Sequence, residues 1–276
     1  MVNKKILLYS IINLTPDSFS DGGEFLDSQK ALEHGEREFQ KGADILELGG
    51  QSSNPNSVPI SPQQEWQRIQ NVATDFRKKQ IPIGIDTYQS FVMEKSLELG
   101  VHTINDITGF TKTESQSVLK NFRSEKNFPN LVVMFSHNSG QKAVTKSHLT
   151  TKSVLGEILQ FLSKQKDVLL KLGISEEKLF FDPGMGFFLG EDPNLSWTVL
   201  QNLEVLKQEL GKIFISVSRK SFLGALLGGV PPKERSAASF ALETLLLTRN
   251  IDAIRSHVAG DLHQARQVLS ALEGVD

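Results

Sequence analysis

What most constrains this chain is an alternation sustained from end to end, in which short apolar runs of strand size are separated by longer amphipathic stretches of helical period. The runs are residues 6–12, 44–48, 81–85, 102–107, 131–135, 179–181, 213–217 and 252–255. Between them lie segments such as 28–41, with Ala31, Leu32 and Phe39 among charges, and 62–79, with Trp66, Ile69, Val72, Ala73 and Phe76 at helical spacing. Lys41-Gly42, Leu99-Gly100, Leu172-Gly173 and Leu210-Gly211 each set a glycine between a helical pattern and the next strand, the usual signal for a helix end. Eight such units in 276 residues fit one (β/α)8 barrel, which typically needs ~250. A single α/β barrel domain over residues 1–276 is the expectation. A doubly wound open sheet is the alternative, but it announces itself with a Gly-rich phosphate loop after the first strand, and residues 13–20 hold no glycine. The Gly- and Pro-rich residues 224–232 predict a loop inside the seventh connection.

Composition narrows the partners. Thirty basic and 32 acidic residues leave a net charge of -2, so no basic field draws the chain to nucleic acid or to anionic lipid. Cysteine is absent, which removes disulfides, thiolate metal sites and cysteine nucleophiles, and fits a reducing, cytoplasmic setting. Residues 6–14 follow Lys4-Lys5 but are broken by Tyr9, Ser10 and Asn13, so they read as a buried first strand and not a signal segment. No apolar run approaches the ~20 residues that span a bilayer.

In a barrel the active site is built at the C-terminal ends of the strands. Polar residues crowd those ends here: Asn13, Thr15, Asp17 and Ser18 after the first, Gln51 to Asn54 after the second, Asp86-Thr87 after the third. Asn105-Asp106 lie in the fourth, Ser136-His137 follow the fifth, Asp182 the sixth, Ser218-Arg219-Lys220-Ser221 the seventh and Arg255-Ser256-His257 the eighth. Any one of them is readily a turn former or a helix cap. Together, Asp86, Asn105, Asp182 and Lys220 point to one small rim, where buried charge needs partners or a ligand. Asp182 and Lys220 could satisfy each other. They could equally hold a flat, amide-rich heterocycle, whose ring N–H groups want Asp or Asn acceptors and whose carbonyl wants a Lys or Asn donor.

Arg255 and His257, two residues apart, share a face of the last strand and suggest an anion, with a surface Arg and a capping His as the alternative. Asn13 could lend an oxygen to a magnesium ion bridging a phosphate, since magnesium needs few protein ligands. His34, His102, His148 and His263 show no partner pattern. No Ser/His/Asp triad motif, HExxH or P-loop occurs.

These stretches resemble the dihydropteroate synthase family over nearly the full chain. The matching residues are Asn13-Leu-Thr-Pro-Asp-Ser-Phe-Ser-Asp-Gly-Gly23, Ile85-Asp86-Thr87, Ile104-Asn105-Asp106-Ile107, Asp182-Pro183-Gly184, Ser218-Arg219-Lys220-Ser221 and Arg255-x-His257, in the family's order and spacing. The resemblance implies an enzyme that joins a dihydropterin methyl pyrophosphate to p-aminobenzoate and releases pyrophosphate, for folate synthesis. It implies pterin contacts at Asp86, Asn105, Met134, Asp182 and Lys220, and pyrophosphate contacts at Asn13, Ser53, Arg255 and His257, with magnesium at Asn13. Lys220, Asp182, Arg255 and His257 would carry the catalysis. Phe19, Pro55, Phe187, Phe188 and Ser221 would surround p-aminobenzoate beneath loops 15–23 and 51–57, and a homodimer formed through C-terminal helices would follow.

Departures from the family are as informative. Its Gly-Gly-Glu-Ser-Thr-Arg-Pro is here Gly49-Gly50-Gln51-Ser52-Ser53-Asn54-Pro55, which loses a carboxylate and an arginine. Its Met-His pair is Met134-Phe135, and Phe188 stands where glycine is usual. The Ser-Ser-Asn-Pro loop, Asp182-Pro-Gly-Met-Gly-Phe-Phe-Leu-Gly190 and Ser216-Val-Ser-Arg-Lys-Ser-Phe-Leu-Gly224 are similar to the sulfonamide-resistance branch. Two other readings compete. A related pterin-barrel methyltransferase should lack the Thr-Pro-Asp-Ser-Phe and Ser-Arg-Lys-Ser segments, and a non-catalytic pterin-binding paralogue draws support from the missing arginine.

Overall fold

The computed structural model of the chain describes residues 6–15, 24–138, 140 and 142–274. Eight parallel strands run β1 (Leu7–Asn13), β2 (Ile45–Gly49), β3 (Ile83–Asp86), β4 (Thr103–Asp106), β5 (Asn130–Met134), β6 (Leu179–Asp182), β7 (Phe214–Ile215) and β8 (Ala253–Ser256). Their order, β6-β5-β4-β3-β2-β1-β8-β7, brings the ends of the sheet together, and a single bridge from Phe181 to Ile213 joins them into a barrel. The helices are α1 (Glu24–Gln40), α2 (Pro62–Lys78), α3 (Ser90–Leu99), α4 (Thr113–Phe122), α5 (Val154–Lys171), α6 (Pro193–Gln201), α7 (Leu203–Leu210), α8 (Ser221–Leu226), α9 (Ser236–Leu246) and α10 (Ala259–Glu273). No helix of the described residues is long and apolar enough to cross a membrane.

Helix α2 shows how locally the elements are specified. Ser61 accepts the backbone N–H of Gln64, Gln64 returns a bond to the Ser61 backbone, and Pro62 fills a first-turn position where no N–H is needed. Ile69, Val72, Ala73 and Phe76 then face inward together. Strand parity does the rest. Leu8, Ile12, Leu46 and Leu48 point outward into the core between sheet and helices, while Tyr9, Ile45, Val132, Phe180, Phe214 and Ala253 fill the barrel's lower interior. Tyr9 meets Phe214 edge to face at 5.0 Å and shares a 3.0 Å hydrogen bond with Thr103, so its buried hydroxyl is satisfied.

Most boundaries shift from the sequence reading by a few residues, and two of the shifts have a clear physical cause. Strand β7 is cut from 213–217 to two residues, because the chain turns off the sheet at Val217, whose carbonyl accepts the Lys220 N–H at 3.2 Å. The loop expected over 224–232 begins only after Leu226. Gly224 belongs to α8, where Arg235 packs so closely that an added Cβ would lie 2.4 Å from its guanidinium carbon.

Candidate active site

Above the apolar floor the barrel interior turns polar. Continuing the inward parity of each strand places Glu47, Asp86, Asn105, Asp182 and Arg255 at the mouth, all five buried or nearly so. Arg255 holds the cluster together: its Nη2 donates to Asp86 Oδ2 at 2.7 Å, and its Nε pairs with Glu47. Asn105 Nδ2 donates to Glu47 Oε1 at 3.4 Å, which leaves the buried Asn105 Oδ1 without a partner. Burial works against the charge of Arg255, but Glu47, Asp86 and Asp182 hold it charged. Burial likewise pushes Glu47 upward, against the pull of Arg255.

Asp182 is fixed by the turn that follows it. Gly184 N–H donates to Asp182 Oδ1 at 2.8 Å, and Gly184 itself has φ +72°, with the Phe135 carbonyl only 2.4 Å from where a Cβ would stand. Only glycine fits both demands. Burial raises Asp182 to about 6 despite the Gly184 N–H and the nearby Lys220 and Arg255.

Lys220 is delivered by a strained turn. Arg219 lies in the left-handed region at φ +57°, which costs a non-glycine residue roughly 1 kcal/mol or more. The conformation is pinned from both sides: Arg219 N–H donates to Ser239 Oγ at 2.8 Å, and Arg235 Nη1 donates to the Arg219 carbonyl at 3.0 Å. Lys220 Nζ then sits 4.8 Å from the centre of the Phe188 ring. Burial, with Arg255 beside it, lowers Lys220 to about 8 against the attraction of Asp182, Asp86 and Glu47. The pairing of Asp182 with Lys220 that the sequence allowed is not how the charges are arranged. Among the described residues, the ion pairs of this cluster belong to Arg255.

An apolar cluster roofs one side of the mouth: Tyr88, Ile107, Met134, Ala143 and Phe188, with Phe187 half-buried against them. Met134 and Phe188 are thus brought together beside Lys220. Ser221 opens α8 one residue on, its Oγ 2.9 Å from where a Cβ on Gly186 would lie. The second loop is tied down by the fifth, since Ala143 N–H donates to the Ser53 carbonyl at 2.9 Å and Lys142 Nζ to the Ser57 carbonyl at 3.3 Å. Pro55 is half-buried in that loop, and Asn54 is exposed. A cleft lined by Gln51, Ser52, Ser53, Glu65, Asp86 and Tyr88 runs from this loop into the mouth. Phe19 and most of the first loop, residues 16–23, lie outside the described residues.

His257 is not the second cation the anion reading allowed for. Burial and the charges of Arg219, Arg255 and Lys220 push it down to about 3, so it is a neutral imidazole. Its Nδ1 is 2.9 Å from Ser218 Oγ, which leaves Nε2 as the ring position open to a ligand.

The sequence reading passed over two carboxylates. Glu47 stands between Leu46 and Leu48 in an apolar run, and a lone acid whose neighbours both face the helices must face the barrel axis. Glu65 sits on α2, accepts Gln89 Nε2 at 2.7 Å and is raised to about 7 by burial. It places a carboxyl in the same cleft as Gln51, where the second loop lacks one.

The profile of the pterin binding enzyme family matches residues 9–257. The type-3 dihydropteroate synthase of Escherichia coli is 35% identical over 267 residues, 96% of this chain and 98% of that protein. The type-2 dihydropteroate synthase of the same organism is 35% identical over 273 residues, 99% of this chain and 98% of that protein. Among solved structures, the dihydropteroate synthase of Clostridium difficile crystallised in the presence of pteroic acid superposes with a TM-score of 0.84 at 30% identity, covering 97% of each chain. Barrel, mouth and sequence agree: the chain belongs to the pterin-binding enzymes and, within them, to the dihydropteroate synthase family.

Proposed function

We propose that this chain condenses 6-hydroxymethyl-7,8-dihydropterin pyrophosphate with p-aminobenzoate, forming dihydropteroate and releasing pyrophosphate. The observation that carries the reading is the buried, unpartnered Asn105 Oδ1 in the mouth beside Asp86 and Glu47, an acceptor that a flat heterocycle with ring and exocyclic N–H groups would satisfy. Asp86, Asn105 and Asp182 accept from the pterin, Lys220 donates to it, and Met134 packs on its face.

The displacement is dissociative. The bond from the pterin methylene carbon to the diphosphate oxygen breaks first, and its electron pair leaves with the diphosphate. Arg255 and the Nε2–H of His257 meet the departing charge, and Ser53 is assigned to the same group. The carboxylates of the mouth stabilise the cationic pterin methylene. The amine of p-aminobenzoate attacks that carbon and then loses its extra proton, so no strong general base is needed. Pro55, Phe187, Phe188 and Ser221, with Phe19, are assigned to the p-aminobenzoate side.

Among the described residues, the donor set suits magnesium held chiefly by the substrate. Among the described residues no group of three or more His, Asp or Glu side chains could hold a metal. Asn13 offers one amide oxygen, and Gly49 beside it carries no side chain to cover that oxygen. Asn13 would hold magnesium there, and the ion would supply charge neutralisation for the departing diphosphate.

Purified protein should turn over both substrates together; pterin binding without turnover would support the non-catalytic paralogue instead. A cytoplasmic homodimer belongs to the same reading. Leu226 on α8, Leu245 on α9 and Val268 and Leu272 on α10 are exposed apolar residues on the C-terminal helices that would form its interface, which sedimentation can test.

A further inference from the structure

One buried acid close behind the diphosphate end has no part in the chemistry so far. Glu243, on α9, is fully buried beneath the end of β8. Ser256 Oγ donates to Glu243 Oε2 at 2.8 Å and accepts the Val258 N–H at 3.1 Å. The other oxygen, Oε1, is buried without a hydrogen bond of ordinary geometry, while the Ser218 hydroxyl faces the same carboxyl. Ser218 Oγ also lies 2.9 Å from His257 Nδ1 and accepts the His257 backbone N–H at 3.3 Å. A single hydroxyl, with a single proton, therefore stands between a carboxyl and an imidazole. An apolar residue at position 243 would pack without the desolvation a buried acid requires.

The charges around the pair are one-sided. Arg219 faces both groups, and Arg255, Lys220 and His34 add to the positive field on His257. Burial raises Glu243 to about 7, so near neutral pH it retains a proton in a large share of molecules. Both groups are then neutral. Burial is the larger reason that His257 is uncharged and the positive field the second, and a polyanion arriving beside Arg219, Arg255 and Lys220 cancels that second contribution.

We propose that Glu243 is a positioning residue that serves as the proton reservoir of His257. When a diphosphate binds, the Glu243 carboxyl passes its proton to Ser218 Oγ while Ser218 passes its own to His257 Nδ1. The O–H bond on Glu243 is lost, that on Ser218 is exchanged, and an N–H bond on His257 is gained, so no co-reactant is required. The result is an imidazolium donating from Nε2 to the anion, with the Glu243 carboxylate as its internal counter-charge. The assignment rests on the placement of His257 at the diphosphate.

The test is 15N NMR of the imidazole nitrogens, with His257 identified by its loss in His257→Gln, during titration with inorganic pyrophosphate at pH 7. In the wild-type protein both His257 nitrogens should move to protonated positions, with little proton uptake when the binding heat is compared in buffers of different ionisation enthalpy. In Glu243→Gln, His257 should stay neutral or draw its proton from the buffer, and pyrophosphate affinity should fall about tenfold, the worth of one charge-assisted hydrogen bond. Ser218→Ala, which interrupts the path but keeps the acid, should behave the same way. Identical His257 signals, proton uptake and affinity in these variants and the wild type would overturn the relay alone. Wild-type His257 signals that pyrophosphate leaves unmoved would overturn the diphosphate assignment of His257 and the relay with it.

Discussion

Arg255 Nη2 lies 2.7 Å from Asp86 Oδ2 across the barrel mouth, 169 residues away in sequence, and the same guanidinium pairs with Glu47 on β2, one of the two strands between them. Arg255 is therefore structural besides its proposed role at the diphosphate, whereas among the described residues Lys220 rests against the Phe188 ring without such a pair. Removing one partner of a buried ion pair costs about 3–5 kcal/mol, because the carboxylates left behind remain desolvated. Arg255→Ala should lower the thermal midpoint markedly and abolish turnover. Lys220→Ala should leave the midpoint within a few degrees and still reduce turnover more than tenfold, a loss of at least ~1.4 kcal/mol of barrier stabilisation. A Lys220→Ala protein above a tenth of wild-type turnover would remove Lys220 from the mechanism.

The pH profile follows from the same mouth. Asp182, raised to about 6, accepts from the pterin only when ionised, so binding weakens as pH falls through that value. Lys220, lowered to about 8, donates as an ammonium only below it, so binding weakens as pH rises through 8. Affinity for a dihydropterin lacking the diphosphate, and so without a phosphate to titrate, should form a plateau between these limits. In Asp182→Asn the acid limb should vanish along with most of the affinity. A profile flat from pH 5 to 9 in the wild type would contradict the assignment of both groups.

Strand parity and motif spacing made the barrel and its polar rim legible, because a residue's face follows from its position in the strand. Asp86, Asn105, Asp182 and Lys220 were found this way. Pairing across the mouth was not legible, since which carboxylate Arg255 takes depends on the barrel's closure and on Glu47, whose apolar neighbours disguised it as part of a strand. Glu65 was hidden because it sits on a helix amid ordinary polar residues, and Glu243 because a lone acid in an apolar helical run can face either solvent or core; only packing shows that both are buried. The charge state of His257 was also out of reach, because it is set by burial and then by Arg219, Arg255 and Lys220, which converge only in three dimensions.

The second loop offers a gain-of-contact experiment. Asn54 contributes its backbone to a turn, its carbonyl accepting the Ser57 N–H at 3.0 Å, while the residue itself is exposed. Asn54→Arg should therefore fold normally and lower the KM for the pterin pyrophosphate or leave it unchanged. A large rise in that KM would show that the Asn54 side chain has a task of its own.

Metal dependence is the simplest check on Asn13. Turnover should collapse in excess chelator and return with magnesium or manganese, both of which favour oxygen ligands. Asn13→Ala should need a higher metal concentration for half-maximal rate. Turnover that survives exhaustive chelation would remove the metal role from Asn13.

Phe188 makes drug response predictable. Sulfonamides imitate the aniline end of p-aminobenzoate but place a tetrahedral sulfonyl, often with a second ring, where the substrate has a flat carboxylate. A pocket narrowed only beyond the carboxylate can exclude them. Phe188 is buried among Met134, Tyr88 and Ala143 with Lys220 Nζ 4.8 Å from its ring centre, so it stands at the mouth and not in the barrel wall. Such exclusion is not capped at the ~1–3 kcal/mol that one missing methylene allows. The wild-type protein should bind sulfonamides weakly, and Phe188→Gly should bind them at least tenfold more tightly. The same variant also loses buried volume worth about 3–5 kcal/mol in a closed core, less at a rim, so its thermal midpoint should fall. Phe188→Leu, which keeps most of the bulk, should retain most of both the stability and the tolerance. Wild-type inhibition constants as low as those of a susceptible synthase measured in parallel would show that Phe188 excludes nothing.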